Sequence, residues 1–164
     1  MSYRRFAAMI AVSTVVMYGL MFLNTYQIEH VRFSETRLYM ALLMGAVMAA
    51  IMMGFMWSMY AKPRWNQLII AGALVVFAGS LWLVRSQAVI GDVAYMKAMI
   101  PHHSIAIMTS ERAHIRDPRV RELADGIART QVREIAEMNT LIADLSRNPP
   151  PPDAPDLAPA SPAS

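Results

Sequence analysis

The chain has 164 residues, 55% of them hydrophobic and grouped in long blocks, with a net charge of only +3, which marks a membrane protein and not an ordinary globular domain. It contains no cysteine, which excludes a disulfide framework and a thiolate metal site and leaves methionine, present 15 times, as the soft ligand available. From Arg85 to the end there are nine Lys/Arg against ten Asp/Glu, so no basic face is expected and no nucleic-acid partner.

Ser2-Tyr3-Arg4-Arg5 precedes a charge-free run over 6–23, long enough to cross a bilayer. No small-x-small cleavage site follows it, so the first span, about 6–24, reads as an uncleaved anchor. A polar loop over 24–38 comes next, with Ser34 placed to cap the following helix. That second span, about 39–60, carries Met40, Met44, Met48, Met52 and Met56 at unbroken four-residue spacing. Each step advances 400°, so the stripe winds over about 160° of the helix surface as a broad methionine face. A short turn with Lys62, Pro63 and Arg64 leads to a third span, about 68–84, where Gly72 and Gly79 offer a small-residue face for close packing.

Three spans put the termini on opposite sides. Arg4 and Arg5 lie directly against the first span, whereas the nearest base beyond it is Arg32; this favours a cytoplasmic N-terminus and, in a bacterium, a periplasmic C-terminal part.

Beyond Arg85 a helix is expected over about 90–115, interrupted by Pro101, which removes one backbone hydrogen bond and leaves the Lys97 carbonyl without its usual donor. On that helix Asp92, Met96, Met99 and His103 fall within an arc of about 60°, with Tyr95 and His102 along one border. A carboxylate, two thioethers and an imidazole suit a soft or borderline metal, Cu(I) or by the same argument Ag(I). Asp117-Pro118 then gives an N-cap with Pro at the first helical position, starting a helix that lasts to about Leu145. Val120, Ala124, Ile127, Gln131, Glu134, Met138, Leu141 and Leu145 form its four-three seam. Gln131 and Glu134 stand in the middle of that apolar row and require polar partners, which the preceding helix can supply. From Asn148 onward the Pro-rich segment cannot bury a core and reads as a disordered tail.

Asp92-x-x-Tyr95-Met96-x-x-Met99-Ile100-Pro101-His102-His103-x-x-Ala106-Ile107-Met108, followed by Gln131-x-x-Glu134-Ile135-x-x-Met138, resembles the bacterial family called domain of unknown function 305. Ile105 departs from the glycine common there. The N-terminal three-span region with His30 is similar to the membrane part of some members. The resemblance implies a ferritin-like helical arrangement and periplasmic copper or silver handling, with Met99, His102, His103, Met108, Gln131, Glu134 and Met138 as the motif residues.

The expectation is therefore an all-α chain in three parts: a three-span membrane domain (1–85), a soluble two-helix metal-binding domain (86–148) and a tail (149–164). A lone helical hairpin buries little apolar surface, so two copies are expected to form a four-helix bundle. Met99, His103 and His102 are the expected Cu(I) ligands, with Met96, Met138, Glu134, Asp92 and Gln131 as further ligands or their supports. The task would be sequestration or delivery, without catalysis. One alternative is a metal-conducting oligomer using the Met stripe; another is a metal-free partner within a larger membrane complex. Glu111-x-x-His114 is half of a di-iron element and lacks its counterpart in one chain.

Overall fold

The computed structural model describes residues 2–151 and 153–158, and among these the chain is all-α. Its helices are α1 (Tyr3–Leu20), α2 (Glu35–Phe55), α3 (Pro63–Ser86), α4 (Asp92–Arg112) and α5 (Pro118–Leu145), with short 3-10 turns at Ile28–His30 and Trp57–Met59. The 149–151 and 153–158 stretches carry neither helix nor strand, and the rest of the expected tail lies outside the described residues.

Among the described residues two helices, not the expected three, are long and apolar enough to cross a membrane: α2 and α3. α1 falls short because Tyr3-Arg4-Arg5 fills its first turn and the helix ends at Leu20. α2 and α3 bury only 28% and 11% of their apolar stretches within the molecule, unlike the core helix of a water-soluble domain, whose apolar side chains are covered.

Local chemistry sets the boundaries. The Ser34 hydroxyl accepts from the Arg37 N–H at 3.2 Å, so α2 begins four residues before the expected span. It stops at Phe55, and the 3-10 turn beyond it is held by Asn66, whose side-chain amide donates to the Trp57 carbonyl at 3.2 Å. α3 starts at Pro63, whose fixed φ suits the first turn, five residues ahead of the hydropathy boundary. The expected glycine face of α3 is not used for packing: a Cβ at Gly72 or Gly79 would meet nothing within 4 Å, whereas Ala73 and Ser80 are buried. The close approach occurs at Gly45, where a Cβ would collide with the Thr14 hydroxyl of α1.

α1, α2 and α3 pack side by side, and α4 pairs with α5. At the far end from Leu20, the Tyr3 hydroxyl donates to the Lys62 carbonyl at 3.0 Å and the Asn66 Oδ1 at 2.8 Å, and Tyr60 packs between Tyr3 and Phe6. At the near end Arg37 donates to the Met21 carbonyl at 2.6 Å and stacks on Phe22. The loop between α1 and α2 then lies on α4, where fully buried Ser104 accepts from the Tyr26 N–H at 2.9 Å and meets His30 Nδ1 at 2.9 Å.

α4 is one continuous helix through Pro101, not two segments. Pro101 is fully buried, and packing around it maintains the helical path despite the lost N–H. Asp117 caps α5 as expected, its carboxylate accepting from the Arg119 N–H at 2.9 Å. The expected α5 seam is rotated. Ala124 and Met138 are buried, but Ile135 and the partly buried Ile142 take the core positions, while Val120, Ile127 and Leu141 stay exposed. An amphipathic face wider than one seam leaves periodicity unable to say which edge meets the neighbour.

Candidate metal centre

Met96, Ile100 and Ile107 of α4 meet Ile135 and Met138 of α5 in a small core, with Met99, Ile142, Leu145 and Tyr26 packed on it. Beside this core an open pocket of about 650 Å³ runs between the helices. Asp92, Met96, His103, Glu134 and Met138 line it, together with Tyr95, Glu137, Leu141 and Leu145. Two thioethers, an imidazole and carboxylates thus border one space. Among the described residues no group of three His, Asp or Glu side chains that could hold a metal ion is found, while the thioethers of Met96 and Met138 border the same space as His103. That donor set suits a soft ion.

His103 is the best-defined member. Its Nδ1 lies 3.3 Å from Glu134 Oε2, close enough for charge attraction but outside hydrogen-bond geometry, and this buried nitrogen has no hydrogen-bond partner. Burial pushes the imidazole pKa down, Glu134 opposes that shift, and His102 adds to it. The net direction favours the neutral ring, the form that ligates metal. Gln131 donates to the same Glu134 oxygen at 3.2 Å and so orients the carboxylate.

Of the eight expected site residues, the pocket therefore gathers Asp92, Met96, His103, Glu134 and Met138, with Gln131 bonded to one of them. Met99 packs at the edge of the core and is not part of the pocket lining. His102 is exposed and also outside the lining, its ring centroid 6.2 Å from that of His103. Because α4 is unbroken, Met108 lies on the side of the helix opposite Met99. Glu111-x-x-His114 loses its helical spacing, since α4 ends at Arg112; the Glu111 carboxylate instead holds the Tyr26 phenol above its ordinary pKa.

Tyr95 and Glu137 were not expected in the site. Glu137 follows Glu134 at i+3, a spacing that puts both on adjacent edges of one helix face and was available as a signal. The contacts of Tyr26 and His30 with Ser104 span 78 and 74 residues, and no local pattern encodes them.

An all-α chain with an apolar N-terminal half and a Met/His/Glu helical hairpin is the class these features define. Residues 92–161 match the family described as Domain of unknown function (DUF305). The chain is 35% identical over 117 residues to an uncharacterised protein, L153, of Acanthamoeba polyphaga mimivirus, covering 70% of this chain and 75% of that one. The chain belongs to the DUF305 family. No solved structure matches it.

Proposed function

We propose that the protein is a membrane-anchored metal-binding protein that takes up Cu(I), or Ag(I) by the same softness, for sequestration or delivery, without catalysis of its own. The observation that carries this reading is the pocket shared by Met96, His103, Glu134 and Met138, with a buried imidazole nitrogen that nothing satisfies. His103 and the two thioethers are the first ligands. Glu134, oriented by Gln131, balances the cation's charge, and Asp92 stands at the rim. Exposed His102 and the edge residue Met99 belong to capture at the surface or to a second copy of the chain.

The anchor is the α1–α3 unit in a bacterial inner membrane. α1 is less apolar than α2 and α3 because Arg4 and Arg5 sit in its first turn, but it runs alongside α2 between the same two ends, and its 18 residues extend roughly 27 Å, so it would line the two spans within the bilayer. Arg4, Arg5, Lys62 and Arg64 cluster at the end marked by Tyr3 and Tyr60, which supports a cytoplasmic N-terminus and a periplasmic hairpin of α4 and α5. Pairing of two hairpins into a four-helix bundle would cover the exposed edge formed by Tyr95, Ile127 and Leu141.

The test is Cu(I) titration and elemental analysis of the membrane-purified protein beside His103→Ala and a Met96→Leu/Met138→Leu double variant. Each variant is expected to weaken binding by at least about tenfold. Copper retained equally in all three would sink the assignment.

A second reading is supported by the Met stripe. Met44, Met48 and Met52 line an open apolar groove of about 490 Å³ along α2, a surface along which an oligomer could pass soft ions. Exchange of all three for Leu should abolish metal movement across vesicles, with binding at α4–α5 intact, only if this path operates.

A further inference from the structure

α1 and α3 both begin at the same end of the molecule, where Tyr3 meets Lys62 and Asn66. Each helix start contributes a partial positive charge, and Arg4, Arg5, Lys62 and Arg64 are all exposed there. No Asp or Glu occurs in 2–28 or 36–91, so nothing acidic on the three helices beyond the first residue of α2 offsets these four cations.

From this end an open cleft of about 640 Å³ runs between α1 and α3 over the surface of α2. Its lining is almost wholly apolar, with Ile10, Ile69 and Val76 on the walls and small residues such as Ala46 and Ala49 on the floor. Tyr3 and Trp65 stand at the basic end, the position favoured by amphipathic rings at a membrane surface. Arg4 precedes Ala11 by seven residues and so lies on the edge of α1 that Ala11 turns to the cleft. The Lys62 backbone is fixed beside Tyr3 by its hydrogen bond.

We propose that this cleft is a binding site for an anionic phospholipid, with an acyl chain lying between α1 and α3 and the phosphate held by Arg4 and Lys62. The inference rests on the reading that these helices lie in a bilayer and is independent of the metal. A zwitterionic lipid brings its own cation to a surface that already carries four, so it gains less. A second copy of the chain in the same membrane orientation would bring four more positive charges to this end, so a lipid fits the charge and a protomer does not.

The experiment uses the full chain purified in mild detergent, offered equal amounts of phosphatidylglycerol and phosphatidylcholine, with bound lipid read by native mass spectrometry and thermal midpoint read in parallel. Phosphatidylglycerol adducts should exceed phosphatidylcholine adducts by about tenfold and alone raise the midpoint. Arg4→Gln/Lys62→Gln should bring the ratio to within about twofold, and Ala11→Phe, which fills the cleft from an exposed position, should reduce adducts of both lipids. Equal adducts in the wild type, an unchanged preference in the charge variant, or a dimer free of lipid would overturn the site. Flotation with phosphatidylcholine vesicles separates the two readings: a protein that fails to float loses the membrane assignment itself, whereas one that floats without preferring phosphatidylglycerol loses only the lipid site.

Discussion

His103 stands where burial and charge pull in opposite directions. Its Nδ1 is enclosed without a hydrogen bond, and the Glu134 carboxylate 3.3 Å away does not reverse the downward shift that burial imposes. The folded protein therefore binds a proton on this ring less readily than the unfolded chain does. Below the ordinary imidazole value the unfolded state holds more protons, so stability is lost as pH falls until it drops beneath the folded-state value, and it is fully present above the ordinary value. Thermal unfolding of metal-free protein should show a lower midpoint at about pH 5 than at about pH 7.5, and His103→Gln should flatten that dependence. An unchanged slope in the variant would assign it to another group, His30 being the next whose pKa burial lowers. The residues of this site were legible to different degrees. Asp92, Met96 and His103 share a helical arc, and Glu134 and Met138 interrupt or occupy a seam, so phase alone pointed to them. Met99 and His102 have suitable phase or chemistry but lie outside the pocket lining, because α5 packs toward the side of α4 that carries Met96, Ile100 and Ile107.

Helices α4 and α5 were readable as elements because their start signals are chemical: a helix capped by Asp117 with Pro118 inside its first turn, and an acidic first turn at Asp92. The rotation of α5 was not readable. Its apolar face includes both Ile127 and Ile135, eight residues apart and about 80° around the axis, and only the position of α4 decides between them. Ile135 is 5% exposed and Ile127 40% exposed. Ile135→Ala should therefore cost about 2–5 kcal/mol, by lost burial and the cavity left behind, measured by denaturant unfolding. Ile127→Ala in the monomer should cost within about 0.5 kcal/mol, as expected of a surface position. A large, concentration-dependent cost at Ile127 would place that edge in a dimer. The same distinction explains the spans. Hydropathy located α2 and α3, yet the helices extend to Glu35 and Pro63 because a cap and a proline, not the end of the apolar run, set their starts.

At the scale of the whole molecule, the α1–α3 unit and the hairpin are joined in two ways: through the short 87–91 link and through the loop that Ser104 receives. Ser104 is the residue after His103, fully buried, and its hydroxyl meets both the Tyr26 N–H and His30 Nδ1. Arg32 adds a weaker contact to Asn139 on α5 at 3.4 Å. Tyr26 also packs on the α4–α5 core, but Leu23, Ile28, Val31 and Phe33 of the loop are exposed, so these hydrogen bonds contribute much of what fixes its position. Ser104→Ala leaves the Tyr26 N–H without an acceptor where Ser104 now supplies one, at a cost of about 1–3 kcal/mol. Because α4 and α5 keep their own core of Met96, Ile100, Ile107, Ile135 and Met138, that cost should fall on the loop and not on the hairpin. Hydrogen exchange should thus accelerate by about tenfold or more at Tyr26 and through the Ile28–His30 turn, with protection of α5 amides unchanged. His30→Ala removes one of the two contacts and should produce a smaller acceleration over the same residues. If α5 loses protection to the same degree as the loop, the hairpin does not stand on its own core and the two parts unfold as one unit.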